Sequence, residues 1–260
     1  MMHRITGLKA LISVLFVSFA AAGWAAPPRT CSLATLNGTY GFYGQGVLMT
    51  QPAMRVVTNG TITFDGKGNL TGESIGAAEG VGAAPPGSFT GTYGVNPDCT
   101  YWGEHSGMQF TGTIADRGSN QVLHFVVTNP GFVVLGEDKP VPAGGCSPAT
   151  LKGSYALYGE GTIAVGGPPA PMVHVGTANY DGAGNAWGSD TIMFAGGPPV
   201  NDTWTATYTV TSDCTVSLEI SSTVGVVHEV GRIVGEGESR EVHLIVTDPG
   251  WMVQETTVRQ

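Results

Sequence analysis

Cys31-Ser-Leu-Ala-Thr-Leu-Asn-Gly-Thr-Tyr40 returns later in the chain as Cys146-Ser-Pro-Ala-Thr-Leu-Lys-Gly-Ser-Tyr155, an offset of 146 − 31 = 115 residues. Working outward, Phe64-Asp-Gly-Lys-Gly-Asn69 matches Tyr180-Asp-Gly-Ala-Gly-Asn185 at an offset of 116, and Asp98-Cys-Thr100 matches Asp213-Cys-Thr215 at 115. His124-Phe-Val-Val-Thr-Asn-Pro-Gly131 matches His243-Leu-Ile-Val-Thr-Asp-Pro-Gly250 at 119, which places a short insertion between Ile220 and Gly231. Offsets this nearly constant over so much sequence mark a duplication. Copies this long read as two domains, 29–138 and 146–260, joined by a Pro/Gly-rich link at 139–145.

Within each copy, short apolar segments break at Gly, Asn, Asp or Pro every 8 to 12 residues or so, the rhythm of an all-β domain. In the first copy strands are predicted near 38–49, 55–64, 70–75, 88–95, 100–106, 109–115, 121–127 and 132–136. Tight turns such as Asp65-Gly66 join sequential strands into an antiparallel up-and-down meander, and closure into a barrel removes the edges an open sheet would expose. The expectation is two tandem barrels of about eight strands each, with a β-sandwich as the alternative.

Four cysteines fall two per copy, with 99 − 31 = 68 and 214 − 146 = 68. Three pairings are formally possible; the equal spacing favours Cys31 with Cys99 and Cys146 with Cys214. No Cys-x-x-Cys or adjacent Cys-His spacing suggests a metal site, and no cofactor motif is present. The opening 25 residues carry His3, Arg4 and Lys9, an apolar run of 13 residues and small residues before Pro27, the pattern of a cleavable secretory signal. That run is shorter than the roughly 20 residues that cross a bilayer, and Cys31 follows Arg29-Thr30 rather than the small apolar residues of a lipoprotein signal. Secreted or periplasmic localisation is expected, where disulfides persist. Cleavage near Ala25 would leave a formal charge of 9 − 20 = −11, which argues against nucleic acid or anionic membrane as partners.

The Cys-Ser-x-Ala-Thr-Leu-x-Gly-x-Tyr start, Phe64-Asp-Gly-Lys-Gly-Asn69, Gly91-Thr-Tyr-Gly-Val-Asn-Pro-Asp-Cys-Thr100 and Thr247-Asp-Pro-Gly250 resemble bacterial secreted proteins of unknown function whose domain is similar to the allene oxide cyclase barrel. The resemblance covers both copies and implies a calycin-like eight-stranded barrel. The matching residues are turn glycines, strand starts and cysteines, so the resemblance carries over no catalytic residue.

Candidate sites come from strand alternation. Tyr40, Phe42 and Gly44 share one face of the first strand, and Tyr43 and Gln45 the other; Tyr155, Leu157 and Gly159 stand against Tyr158 and Glu160 in the second copy. If the second face looks inward, Tyr158 beside Glu160 makes an acid/base pair in an apolar cup, and Tyr43, Gln45, Tyr158 and Glu160 are the candidate ligand contacts. Otherwise they lie on the outer, solvated surface. His124 and His243 occupy equivalent strand positions and are candidate proton handlers, or structural groups facing solvent or a neighbouring strand. Glu104 with His105 forms an acid/base couplet only in the first copy, since Glu219 has no adjacent histidine. The turns at Asp65 and Asp181 offer oxygens to calcium but lack the further carboxylates of a loop site. Asn37, Asn59, Asn69 and Asn201 head glycosylation sequons.

The reading that follows is an exported, non-catalytic two-barrel protein holding a small apolar ligand or presenting a surface to an unidentified protein partner. Its rivals are an allene oxide cyclase-like cyclase or isomerase acting on a hydrophobic substrate, and a structural envelope protein whose barrels are filled.

Overall fold

The computed structural model describes residues 30–116, 121–164 and 166–260; the signal expected at 1–25 lies outside them. The first copy contributes β1 (Asn37–Leu48), β2 (Met54–Asp65), β3 (Asn69–Ala78), the short β4 (Gly82–Ala83), β5 (Gly87–Val95), β6 (Thr100–His105), β7 (Met108–Ala115), β8 (Val122–Val127) and β9 (Phe132–Pro140). Eight of these pair in an antiparallel ring that closes through β1–β2, β2–β3 and β1–β9, with β4 as a two-residue edge on β3. The second copy repeats the ring as β10 (Lys152–Ile163), β11 (Ala170–Asp181), β12 (Asn185–Phe194), β13 (Val200–Val210), β14 (Thr215–Ser222), β15 (Gly225–Val234), β16 (Glu241–Val246) and β17 (Trp251–Arg259). Two closed barrels, not sandwiches, thus follow from the meander. Lys139 and Pro140, expected in the link, belong to β9 and pair with Gly41 and Tyr40.

The repeated motifs turn out to be the parts that close one end of each barrel. Asp65 Oδ1 accepts from the amides of Lys67 (2.7 Å) and Asn69 (2.9 Å), and Oδ2 accepts from Asn69 Nδ2 at 2.7 Å. These bonds hold the Asp65 carboxyl down at about 2, and Gly66 and Gly68 supply the positive φ the turn requires. Asp181 repeats the turn on Ala183 and Asn185. Both carboxylates are therefore occupied by their own loops, and among the described residues no His, Cys, Asp and Glu group is arranged to hold a metal ion. Cys31–Cys99 and Cys146–Cys214 are disulfides with Cα separations of 5.0 and 4.8 Å; they fasten each entering segment to its β5–β6 or β13–β14 turn. Beneath them Leu36 and Leu151 are fully buried. The Tyr93 hydroxyl donates to Leu36 O at 2.8 Å and the Tyr208 hydroxyl to Leu151 O at 3.0 Å. Edge-to-face rings complete this plug, Phe64–Tyr93 at 4.8 Å and Tyr180–Tyr208 at 5.4 Å.

The barrels meet where β1–β3 lie against β15–β17. Val57, Ile75 and Ala77 pack on Ile245 and Met252. Around them Asn59 Nδ2 donates to His243 O at 2.8 Å, Arg232 Nη2 meets Glu73 Oε1 at 2.6 Å, and Lys139 Nζ bridges Glu137 and Glu241, each at 2.8 Å. Asn59 is fully buried in this seam, so the sequon it heads cannot accept a glycan in the folded protein. Among the described residues no helix is long and apolar enough to cross a membrane. Two disulfides point to an oxidising, extracellular or periplasmic environment.

Candidate functional site: a hollow barrel beside a filled one

The first strand of each copy turns Tyr40 and Phe42, and Tyr155 and Leu157, into its barrel. Tyr43, Gln45, Tyr158 and Glu160 consequently point outward, and no acid/base cup forms inside a barrel from Tyr158 and Glu160. The physical reason is that the face richer in large apolar groups takes the core. The structure brings Tyr43, Gln45 and Glu160 to the seam instead, while Tyr158 is 53% exposed. The Tyr43 ring stands edge-on to His243 with centroids 4.3 Å apart, and burial, with the nearby Glu137 charge, pushes its hydroxyl up to about 12. Gln254 Nε2 donates to Gln45 Oε1 at 2.9 Å, and Glu160 lies 3.8 Å from Arg55. Gln45, Arg55 and Glu160 border a seam cavity of about 300 Å³. His243 is buried against Glu241, Nε2 to Oε2 2.9 Å, whereas His124 is half-exposed and 3.5 Å from Glu137. Equivalent in sequence, the two histidines differ because only β16 enters the seam.

The larger opening is in the first barrel, at the end away from its disulfide. A cavity of about 360 Å³ is walled by Phe42, Phe89, Phe110 and Phe125, with Phe132 and Leu48 among the residues around it. Two ionisable side chains reach it, His105 and Asp138. The His105 ring stacks on Phe89 at 4.0 Å and lies 6.0 Å from Phe110; its Nδ1 is buried without a hydrogen-bond partner. Burial lowers its pKa, which keeps the imidazole neutral near pH 7. Asp138, opposite Phe42 in the β1–β9 pairing, is 3% exposed. Burial, reinforced by the Glu137 charge, raises its carboxyl well above the usual range, with the Tyr101 phenol acting in the other direction. The Glu104–His105 couplet does not form, because adjacent strand residues point to opposite sides: Glu104 is exposed and His105 turns inward.

Strand pairing shows why the second barrel differs. Gly44 sits between Thr58 and Gly136 on the neighbouring strands; its equivalent Gly159 sits between His174 and Glu255. Thr58 is followed across the next pair by Gly76, and His174 by Ile192. Phe110 and Glu229 likewise oppose Val127 and Val246. At the level of the cavity, the second barrel therefore holds a polar cluster. His174 Nδ1 meets Asp190 Oδ2 at 3.0 Å, and its Nε2 lies 3.6 Å from Glu255 Oε2. Burial opposes the His174 charge, but the bond to Asp190 and the charge of Glu255 outweigh it and raise the pKa. Burial, then the neighbouring Glu255 and Asp190 charges, raise Glu229 well above the carboxylate range. Met172, Ile192, Val227, Val246 and Val253 fill the end above, with Phe194 and Trp251 packed on them.

The alternation of the first strand leaves its inward face open. Once Tyr155 and Leu157 are inside, antiparallel pairing carries His174, Asp190 and Glu255 inside as well, and this register is the signal that finds them. Fold and site together define a tandem β-barrel protein with one hollow and one filled barrel. The chain matches no protein-family model, and no curated protein is significantly similar to it. Among solved structures it is similar to a Nitrosomonas europaea protein provisionally assigned as AttH, at 8% identity, covering 86% of this chain and 92% of that one, with a TM-score of 0.24. A superposition that loose carries no argument; the barrels rest on this chain's own strand pairing.

Proposed function

We propose that this is an exported ligand-holding protein whose first barrel binds a small apolar molecule while the second, filled barrel supports it. The observation that carries the reading is the cavity of about 360 Å³ walled by phenylalanines in one barrel of the pair, within the roughly 300–1,000 Å³ of small-molecule sites. The two disulfides and the signal expected at residues 1–25 support export. A structural protein with both barrels filled would have no use for that space. Gly76→Ile with Ala78→Phe copies the second barrel's Ile192 and Phe194 into the mouth. A Cβ at Gly76 meets nothing nearer than Val57 O at 3.4 Å, so the fold should tolerate the change. Native mass spectrometry of the full mature chain from its own organism should recover a small molecule, and the double variant should retain it at least about tenfold less well. Equal retention by both proteins defeats the assignment to this barrel.

A second reading has one observation in its favour: His105 and Asp138 place two proton-transferring groups on the wall of an apolar chamber. A cyclase or isomerase acting on a hydrophobic substrate would use such a chamber to enforce geometry. Incubating the full chain with the molecule it retains, and recovering that molecule chemically altered, selects this reading; recovery unchanged selects binding.

A further inference from the structure

Resting on the ligand-holding reading, we propose that the first barrel selects uncharged lipophiles that carry a hydrogen-bonding oxygen, such as alcohols, ketones and esters, and rejects carboxylates of the same chain. The argument begins with charge. Among the described residues that line the cavity there is no Lys or Arg, and the one acidic side chain is Asp138. A ligand carboxylate would enter an apolar chamber without a counter-ion, beside a residue that is itself a carboxyl group. Removing an ion from water without pairing it is strongly unfavourable. Asp138 gives the same answer from the protein side, since it is 3% exposed and its burial favours the neutral acid, which can donate a hydrogen bond.

A pure hydrocarbon is disfavoured for a different reason. His105 Nδ1 is buried between Phe89 and Phe110 with no partner, and a ligand that offers no polar atom leaves it so. An alcohol can donate to that nitrogen or accept from Asp138, and a carbonyl can accept from either group in its protonated state, so one oxygen satisfies what the barrel leaves open. The phenylalanine wall supplies the remaining contact without directional demand. The resulting site recognises a long apolar body and one neutral polar atom.

The test titrates the full mature chain near pH 8, where a fatty acid is ionised, with 1-decanol, 2-decanone, decane and decanoate. The alcohol or ketone should bind at least about tenfold more tightly than decanoate and measurably more tightly than decane. His105→Phe, which keeps the stacking and adds only apolar surface, should reduce the advantage over decane to what Asp138 alone supplies, while leaving decane binding in place. Decanoate binding as tightly as the alcohol overturns this inference but leaves the ligand-holding reading intact. Preserved oxygen selectivity in His105→Phe removes His105 from it. Failure of the entire series to bind overturns the ligand-holding reading and this inference together.

Discussion

The two barrels share their turns, disulfides and aromatic plug, yet their interiors are opposites at one level. On the inward face of β3 the first barrel has Ser74, Gly76 and Ala78; on β12 the second has Asp190, Ile192 and Phe194. Thr58 and Gly136 stand where His174 and Glu255 do. These inward positions, with Phe110 standing where Glu229 does, separate a chamber from a packed, charged interior, while the elements that specify the fold stay constant. The duplicated scaffold fixes where side chains point, and the identity of a few of them decides whether the space is kept.

The glycine shared by both first strands offers the sharpest way to break this comparison. A Cβ on Gly159 would lie 2.1 Å from His174 Nε2 and 2.7 Å from Gln254 O, whereas on Gly44 its nearest neighbour is Thr58 Cγ2 at 3.2 Å. Gly159→Ala should therefore destabilise by about 2–3 kcal/mol through overpacking, and Gly44→Ala by about 1 kcal/mol or less. Chemical denaturation of each full-length variant measures both. Similar costs at the two positions would mean that the second barrel relaxes around its cluster as readily as the first does around its cavity.

What was legible beforehand has a physical pattern. The repeat, the eight strands and both cysteine pairs were written in turn residues and spacing, which act locally. The interiors were not, because hydropathy alternation misleads in these strands. In β11 the valines Val173 and Val175 point to solvent, at 51% and 61% exposure, while Met172 and His174 turn inward. In β9 Val133 and Leu135 are outside and Asp138 is inside. A reader who assigns β-branched residues to the core places His174 and Asp138 on the surface. The sequence singles out His105 only beside Glu104, which the strand turns the other way.

Acidity probes the cluster that replaces the cavity. Glu229 has a folded pKa raised by burial above the roughly 4.3 of an unfolded glutamate. Below that value both states are protonated and the group is neutral toward folding. As pH rises beyond it, the unfolded chain ionises while the folded one does not, so stability falls with pH until the folded pKa is passed. Glu255 and His174, also raised, act in the same direction, His174 from its unfolded value of about 6.5 upward. Glu229→Gln should therefore stabilise the protein by about 1–3 kcal/mol near pH 8, and the gain should vanish near pH 4. Thermal melts across that range read the difference, and a gap that does not change with pH would show that the Glu229 carboxyl keeps its ordinary affinity for the proton.

The smallest effect is expected where sequence reasoning first placed the chemistry. Glu160→Gln makes the second copy match Gln45 of the first and removes the 3.8 Å approach to Arg55. Both side chains are substantially exposed, 45% and 40%, and such pairs contribute roughly 0–1 kcal/mol. The change should shift stability by less than about 0.5 kcal/mol and leave lipophile binding untouched, because Glu160 borders the seam cavity and not the barrel chamber. A loss of binding in this variant comparable to that of Gly76→Ile with Ala78→Phe would move the ligand out of the first barrel and into the seam. Gln45, Arg55 and Glu160 would then be among its contacts, and the difference between the hollow and filled interiors would concern packing alone.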